Sequence, residues 1–238
     1  MIVGAGHAER FGTLCARALA AGLAVRGAFH PEPAEFDAQL SAAAAGTIVL
    51  LGFTGSLQWE SFRRSAEAAD AMPNPLDRWS RRVIGSLAGE FGALDFYPNG
   101  TARPLPFQKL AARCEPVHQS PIGLLIHAEW GLWHAYRGGL VLPERIELPS
   151  AVASANPCAS CAAKPCLSAC PVDAFGAHAF NSRACVDHVT SAAGSKCRDY
   201  GCLARRACPA GVQYRYVPDQ ARFHMQAFSD SMRSLLKT

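Results

Sequence analysis

The chain has 238 residues, half of them apolar and 18% charged, with a formal net charge of +4. That length fits one large domain with a smaller one appended, and the balance is that of a globular chain rather than a disordered or fibrous one. The longest apolar run, residues 42–53, is broken by Gly46 and too short to span a bilayer, and no basic-then-apolar leader opens the sequence, so a cytoplasmic protein without a membrane partner is expected.

In chain order, Phe11, Leu14, Cys15, Ala18 and Leu19 recur at helical spacing, with Gly22 as the stop. Residues 36–45 read as a second helix closed by Gly46, residues 47–51 as a buried strand, and residues 59–69 as helix. The best-marked helix begins after Asn74 as cap, with Pro75 in its first turn and Asp77 complementing its dipole. Its apolar stripe is Leu76, Trp79, Val83, Leu87 and Phe91. Strands are expected at 94–97, 123–127 and 139–142, giving a sheet covered by helices whose strand sense the pattern leaves undetermined. Gly4 and Gly6 resemble the opening of a dinucleotide fingerprint, but Glu9 stands where the third glycine belongs, and no nucleotide site is expected there.

Cysteine usage changes abruptly. Only Cys15 and Cys114 precede residue 150, and both read as core thiols; the other eight lie between Cys158 and Cys208. The segment 149–157, rich in Ser, Ala and Pro, reads as a linker. The expected division is residues 1–150 and residues 151–238, the second ending in an aromatic tail with Tyr214, Tyr216, Phe223 and Phe228. The tail is expected to pack over the cysteine region.

Cys158, Cys161, Cys166 and Cys170-Pro171 form one run, and Cys185, Cys197, Cys202 and Cys208-Pro209 a wider second set. Four converging thiolates are what a cubane iron–sulfur cluster requires, and the run resembles a bacterial two-cluster ferredoxin motif with a longer gap between Cys161 and Cys166. Zinc sites also use paired cysteines, but rarely end in Cys-Pro at both sets; disulfides require an oxidising compartment. The resemblance implies that Cys158, Cys161, Cys166 and Cys208 hold one 4Fe–4S cluster and that Cys170, Cys185, Cys197 and Cys202 hold the other.

Charge follows the same division. Residues 1–150 carry 13 basic and 14 acidic side chains, residues 151–238 carry 10 and 5. Two clusters with their thiolates, at roughly two negative charges each, would offset most of that excess. The basic charge therefore points to inorganic charge rather than nucleic acid, with any remainder available to an acidic electron donor.

The stretch from Pro121 to Pro149 contains Ile126-His127, Gly131-Leu-Trp133, Arg137-Gly138 and an apolar strand closed by Pro143. Upstream, in order, come 48–55, a helix over 59–64, Asn74-Pro-Leu-Asp77, Pro98-Asn99 and Arg103-Pro104. This order, over residues 45–149, resembles the cobalamin-processing CblC-type proteins. Together with the cysteine region it resembles the epoxyqueuosine reductases and, more distantly, the reductive dehalogenases. The resemblance implies an α+β fold: a nitroreductase-like sheet covered by helices, with a small ferredoxin-like domain behind it. It further implies a corrinoid-dependent or cobalamin-processing reductase, with electrons passing from two 4Fe–4S clusters to cobalt.

By the same resemblance His127 and Arg137 are the candidate cobalamin-binding residues, although His127 also reads as a hydrogen-bonded strand residue and Arg137 as a partner of Glu129 or Glu144. Trp133 reads as core. A plain dicluster electron carrier and a flavin enzyme are the alternatives. The expected partners are a low-potential donor (flavodoxin, ferredoxin or a reductase) and a small-molecule substrate whose identity the residues do not give.

Overall fold

A computed structural model describes residues 5–32, 46–99, 106–150, 153–176 and 179–236. The helix expected at 36–45 and the Arg103-Pro104 match lie outside the described residues. The chain divides into two compact units: Met1–Pro116 with His134–Ala153, and Val117–Trp133 with Ser154–Thr238. The break after Ala153 falls inside the expected linker. Val117–Trp133, assigned by sequence to the first domain, groups with the second unit.

The first unit is α+β. Helix α1 (Ala5–Ala20) buries Leu14 and Ala18 and closes at Gly22, whose N–H donates to the Leu19 carbonyl. Strands β1 (Ala24–Phe29), β2 (Thr47–Thr54), β3 (Leu94–Phe96) and β6 (His134–Leu142) form one sheet in the order β1-β2-β6-β3, every pair antiparallel. β2 pairs on both edges and all eight of its residues are buried, which explains its continuous apolar run. β6 begins five residues before the expected strand, because His134, Ala135 and Tyr136 continue its pairing with β2 past an irregularity that skips Arg137.

Helix α4 (Pro75–Phe91) packs against β6 and buries the predicted stripe together with Ile84. Trp79 meets Phe53 and Phe62, with ring centroids 5.8 and 5.9 Å away. Such large side chains each contribute about 1.5–3 kcal/mol on burial. Asn74 occupies the cap position in a left-handed conformation (φ 53°) and makes no side-chain cap bond, so Pro75 and Asp77 mark this helix start without it. The helix expected over 59–69 is two short helices, α2 (Trp59–Arg63) and α3 (Ala66–Ala69); Ser65 breaks it and accepts from the Ala68 N–H. Glu67–Arg82 and Asp70–Arg78 ion pairs fasten α3 and the residue after it to α4. Helix α5 (Phe107–Cys114) covers β1.

The described residues of the second unit form one short hairpin, β4 (Val117–Gln119) with β5 (Leu125–His127), and otherwise helices, short except for the last. These are α6 (Pro165–Ser168), α7 (Ser182–Thr190), α8 (Ser195–Tyr200), α9 (Leu203–Arg206) and α10 (Pro218–Leu235). The aromatic tail is largely α10, and Phe228 lies 6.2 Å from Phe180 between ring centroids. No helix among the described residues is long and apolar enough to cross a membrane.

Candidate metal centre

All ten cysteines are free thiols. Eight fall into two groups of four. Cys158, Cys161, Cys166 and Cys208 line one cavity with about 320 Å³ of empty space, its mouth included. Cys170, Cys185, Cys197 and Cys202 line a second, of about 300 Å³. These are the two sets that the ferredoxin resemblance implies. Cys15 and Cys114 are in the first unit and line neither cavity.

Local structure aims each sulfur. Asn156 Oδ1 accepts the Cys158 N–H at 2.9 Å, forming the turn that opens the run. Pro165 starts α6 and puts Cys166 in its first turn. Asn181 caps α7 through the Ala184 N–H at 3.0 Å, which fixes the helix that carries Cys185. Cys202 is itself the cap residue of α9, and its sulfur accepts backbone N–H groups of Ala204 and Arg205. Cys170 Sγ accepts the Ala174 N–H at 3.3 Å, and Cys197 accepts that of Leu203. Such N–H···S bonds favour the charged sulfur.

The electrostatics oppose a bare thiolate at Cys158 and at Cys185. Burial, then the neighbouring Cys208, Cys166 and Cys161 sulfurs, raise the Cys158 thiol above its ordinary range. Burial, then Cys202, Cys170 and Cys197, push Cys185 up to about 12. Thiols that hinder one another's ionisation in a water-poor cavity require a cationic centre among them to become ligands. Four thiols around each space are a donor set that a 4Fe–4S cluster would fit. No three His, Cys, Asp or Glu side chains among the described residues converge closely enough to hold a single metal ion. Each quartet surrounds a space, as a polynuclear centre needs.

The hairpin completes the first cavity, a contribution the cysteine spacing does not disclose. Pro121 and Ile126 line it, and Ile122, Ile126 and Leu132 share one apolar cluster with Cys166, Ala204 and Cys208. Cys158, Cys170 and Cys202 pack against that cluster, and Ala204 also lines the second cavity, so the two quartets are joined by continuous packing.

Gly131 and Gly211 fix the hairpin there. A Cβ on Gly131 (φ +55°) would lie 2.1 Å from the Ala210 carbonyl oxygen, and one on Gly211 (φ +67°) 2.4 Å from the Trp130 carbonyl carbon. Only glycine lets these two backbones touch just beyond Cys208-Pro209. Arg205 adds a clamp: it donates to the Leu132 carbonyl, and its guanidinium lies 4.5 Å from the ring centroids of both Trp133 and Tyr216. The Gly-x-Trp stretch thus supports the cysteine region, and Trp133 is buried as expected.

His127 belongs to this hairpin. Its Nδ1 accepts the Glu129 N–H at 3.1 Å, and its ring stacks on Trp130 at 4.1 Å between centroids. Arg137 lies on the sheet of the first unit and pairs with Asp77, neither of the two acids considered from sequence; its Nε donates to Ser80 Oγ at 3.0 Å. The two candidate cobalamin residues therefore sit in different units. Arg137, Asp77, Ser80, Arg81, Tyr97, Pro98 and Asn99 line a shallow pocket of about 180 Å³. Three of the ordered sequence matches, distant along the chain, converge there. Burial and the Asp95 carboxylate raise the Tyr97 phenol well above its ordinary value, and Arg81 lies over its ring at 5.2 Å.

No family model matches the chain, and no curated protein matches it. Among solved structures it is similar to an epoxyqueuosine reductase from Streptococcus thermophilus, at 15% identity over 88% of this chain and 69% of that one, with a TM-score of 0.50. An epoxyqueuosine reductase solved with an epoxyqueuosine-modified tRNA stem loop aligns over 90% and 70% of the two chains at 15% identity, TM-score 0.49. At this identity the likeness establishes fold, and it rests on the Streptococcus thermophilus structure.

Proposed function

We propose that the protein is an iron–sulfur reductase whose second unit holds two 4Fe–4S clusters. One is assigned to Cys158, Cys161, Cys166 and Cys208, the other to Cys170, Cys185, Cys197 and Cys202. The observation that carries this reading is the separation of eight thiols into two quartets, each around its own largely apolar cavity. A bound 4Fe–4S cluster supplies one-electron transfer at low potential. The chain's own part is to orient the thiols, to exclude water with Ile126, Phe175 and Met225, and to tune the sulfurs by N–H donation from Ala174, Leu203, Ala204 and Arg205.

The finer reading is that the electrons serve a corrinoid. It is supported by the ordered matches over residues 45–149, by their convergence on the Arg137 pocket, and by a fold shared with an epoxyqueuosine reductase. Arg137 is the residue assigned to an amide or phosphate of that ligand; His127 is a candidate by the resemblance alone.

Anaerobically loaded and reduced protein is expected to show the electron paramagnetic resonance of two interacting clusters, and Cys158→Ala and Cys170→Ala each to remove a different one. A spectrum without any cluster signal contradicts the reading. Equilibrium dialysis then tests the finer part: cobalamin is retained near one per chain, and Arg137→Ala weakens retention with iron content unchanged. Cluster-loaded protein that retains no cobalamin is a plain electron carrier.

A further inference from the structure

The basic charge of the second unit is concentrated beside one of the two quartets. Lys196 and Arg198 flank Cys197 on α8, and Arg206 follows Cys202 on α9. Arg206 donates to the Tyr200 carbonyl at 3.1 Å, Arg215 donates to the Arg206 carbonyl, and Arg222 on α10 reaches Asp199 at 3.3 Å. These bonds tie Arg206, Arg215 and Arg222 to the segment 196–206, which carries Lys196, Arg198 and the ligand candidates Cys197 and Cys202.

Most of that charge stays uncompensated. Arg198 donates to the Val189 and Ser191 carbonyls, and Arg206 and Arg215 likewise bond to carbonyls, which fix a guanidinium without neutralising it. On α7, α8, α9 and the first half of α10 the carboxylates are Asp187, Asp199, shared by Arg198 and Arg222, and Asp219, against Lys196, Arg198, Arg206, Arg215 and Arg222. Lys196 is exposed, and Tyr200 is 51% exposed amid the cations.

We infer that this face is the electron-entry surface, and that its partner is an acidic, low-potential electron-transfer protein of the flavodoxin kind. The inference rests on the iron–sulfur reading above. Complementary charge steers such a donor toward the face and orients it, which raises the association rate more than the final affinity. The exposed Tyr200 gives the encounter an apolar contact beside the second quartet. The step is outer-sphere. One electron leaves the donor's anionic flavin hydroquinone, which becomes the neutral semiquinone, and reduces a [4Fe–4S]²⁺ centre to [4Fe–4S]¹⁺. No bond or proton changes hands.

The test is anaerobic stopped-flow reduction of full-length, cluster-loaded protein by two reductants: flavodoxin hydroquinone and reduced methyl viologen, a small cation. The flavodoxin rate constant should fall steeply with added salt. Lys196→Glu with Arg222→Glu should lower it about tenfold or more while viologen still reduces the clusters at least as fast. Lys196→Gln with Arg222→Gln should lie between, and Arg233→Glu, farther along α10, should leave both rates unchanged. A flavodoxin rate indifferent to salt and to the double reversal overturns the inference, as does an equal slowing by Arg233→Glu, which would report net charge alone. So does loss of RNA stem-loop binding in the double variant with the flavodoxin rate intact, which would make the face a nucleic-acid surface. Wild-type protein that viologen cannot reduce overturns the iron–sulfur reading itself.

Discussion

In the first unit, β2 is buried along its whole length between β1 and β6, and Trp79, Ile84, Leu87 and Phe91 cover the sheet. In the second, the buried positions that large apolar residues would fill are taken by Cys166, Cys197 and Cys208, and most helices run to nine residues or fewer. A small, short-helix unit with thiols at its centre buries little apolar surface for the chain entropy it must offset, and such units fold with the help of a bound inorganic group. The contrast teaches that the cysteines of the second unit stand where the first unit has an apolar core, so a group bound to them would add to that unit's stability.

The largest expected effect breaks that comparison outright if it fails. Stripping the clusters anaerobically should collapse amide protection in 154–236 and in the hairpin 117–133, and leave β2, β6 and α4 protected in hydrogen-exchange mass spectrometry. Equal loss in both units would show that the first also depends on the metal.

A second variant acts only on the first unit. Arg26 and Glu115, almost wholly buried, form a two-pronged pair at 2.9 Å, and the Tyr136 hydroxyl donates to the same carboxylate. Burial pushes the Glu115 carboxyl up, with Arg26 and Tyr136 pulling it back. Arg26→Ala leaves a buried carboxylate without its cation and should cost about 3–5 kcal/mol in chemical denaturation, with iron content unchanged. Loss of iron in this variant would show that the units are not separable.

Gly131→Ala should cost about 2–5 kcal/mol, from left-handed strain and the clash with Ala210. Its signature is a loss of iron held by the Cys158 set, because it detaches the hairpin that walls that cavity. Full iron retention would show that the cysteines alone define the site.

The smallest effect is at Glu67, whose carboxyl is held down to about 2, chiefly by the Arg82 hydrogen bond. A depressed folded value stabilises above the ordinary 4.5 and is lost as pH falls toward about 2. Glu67→Gln should therefore cost less than about 1 kcal/mol at neutral pH and nothing near the acid end, read from denaturation midpoints. A gap that persists at low pH would assign the effect to packing.

Much of the first unit was legible because its signals are local. The 3.6-residue stripe of α4, the apolar run of β2 and Pro75 act within a few residues. Ser65 interrupts one expected helix because its hydroxyl competes for a backbone N–H, an option that periodicity does not weigh. The eight thiols of the candidate site were legible from spacing. The hairpin's place was not: Gly131 meets Ala210 across 79 residues, and neither position announces the contact. Lys164, His188 and Met225 at the cavities and the Arg205 clamp were missed for the same reason, while Arg137 found Asp77, whose dipole-favoured place at the helix start concealed a second partner.

What the eight thiols hold decides the chemistry of the second unit. Iron, acid-labile sulfide and zinc should be measured together on anaerobically prepared full-length protein. Two clusters predict about eight iron and eight sulfide per chain with negligible zinc, unchanged by Cys15→Ala with Cys114→Ala. Stoichiometric zinc with no sulfide would contradict the account.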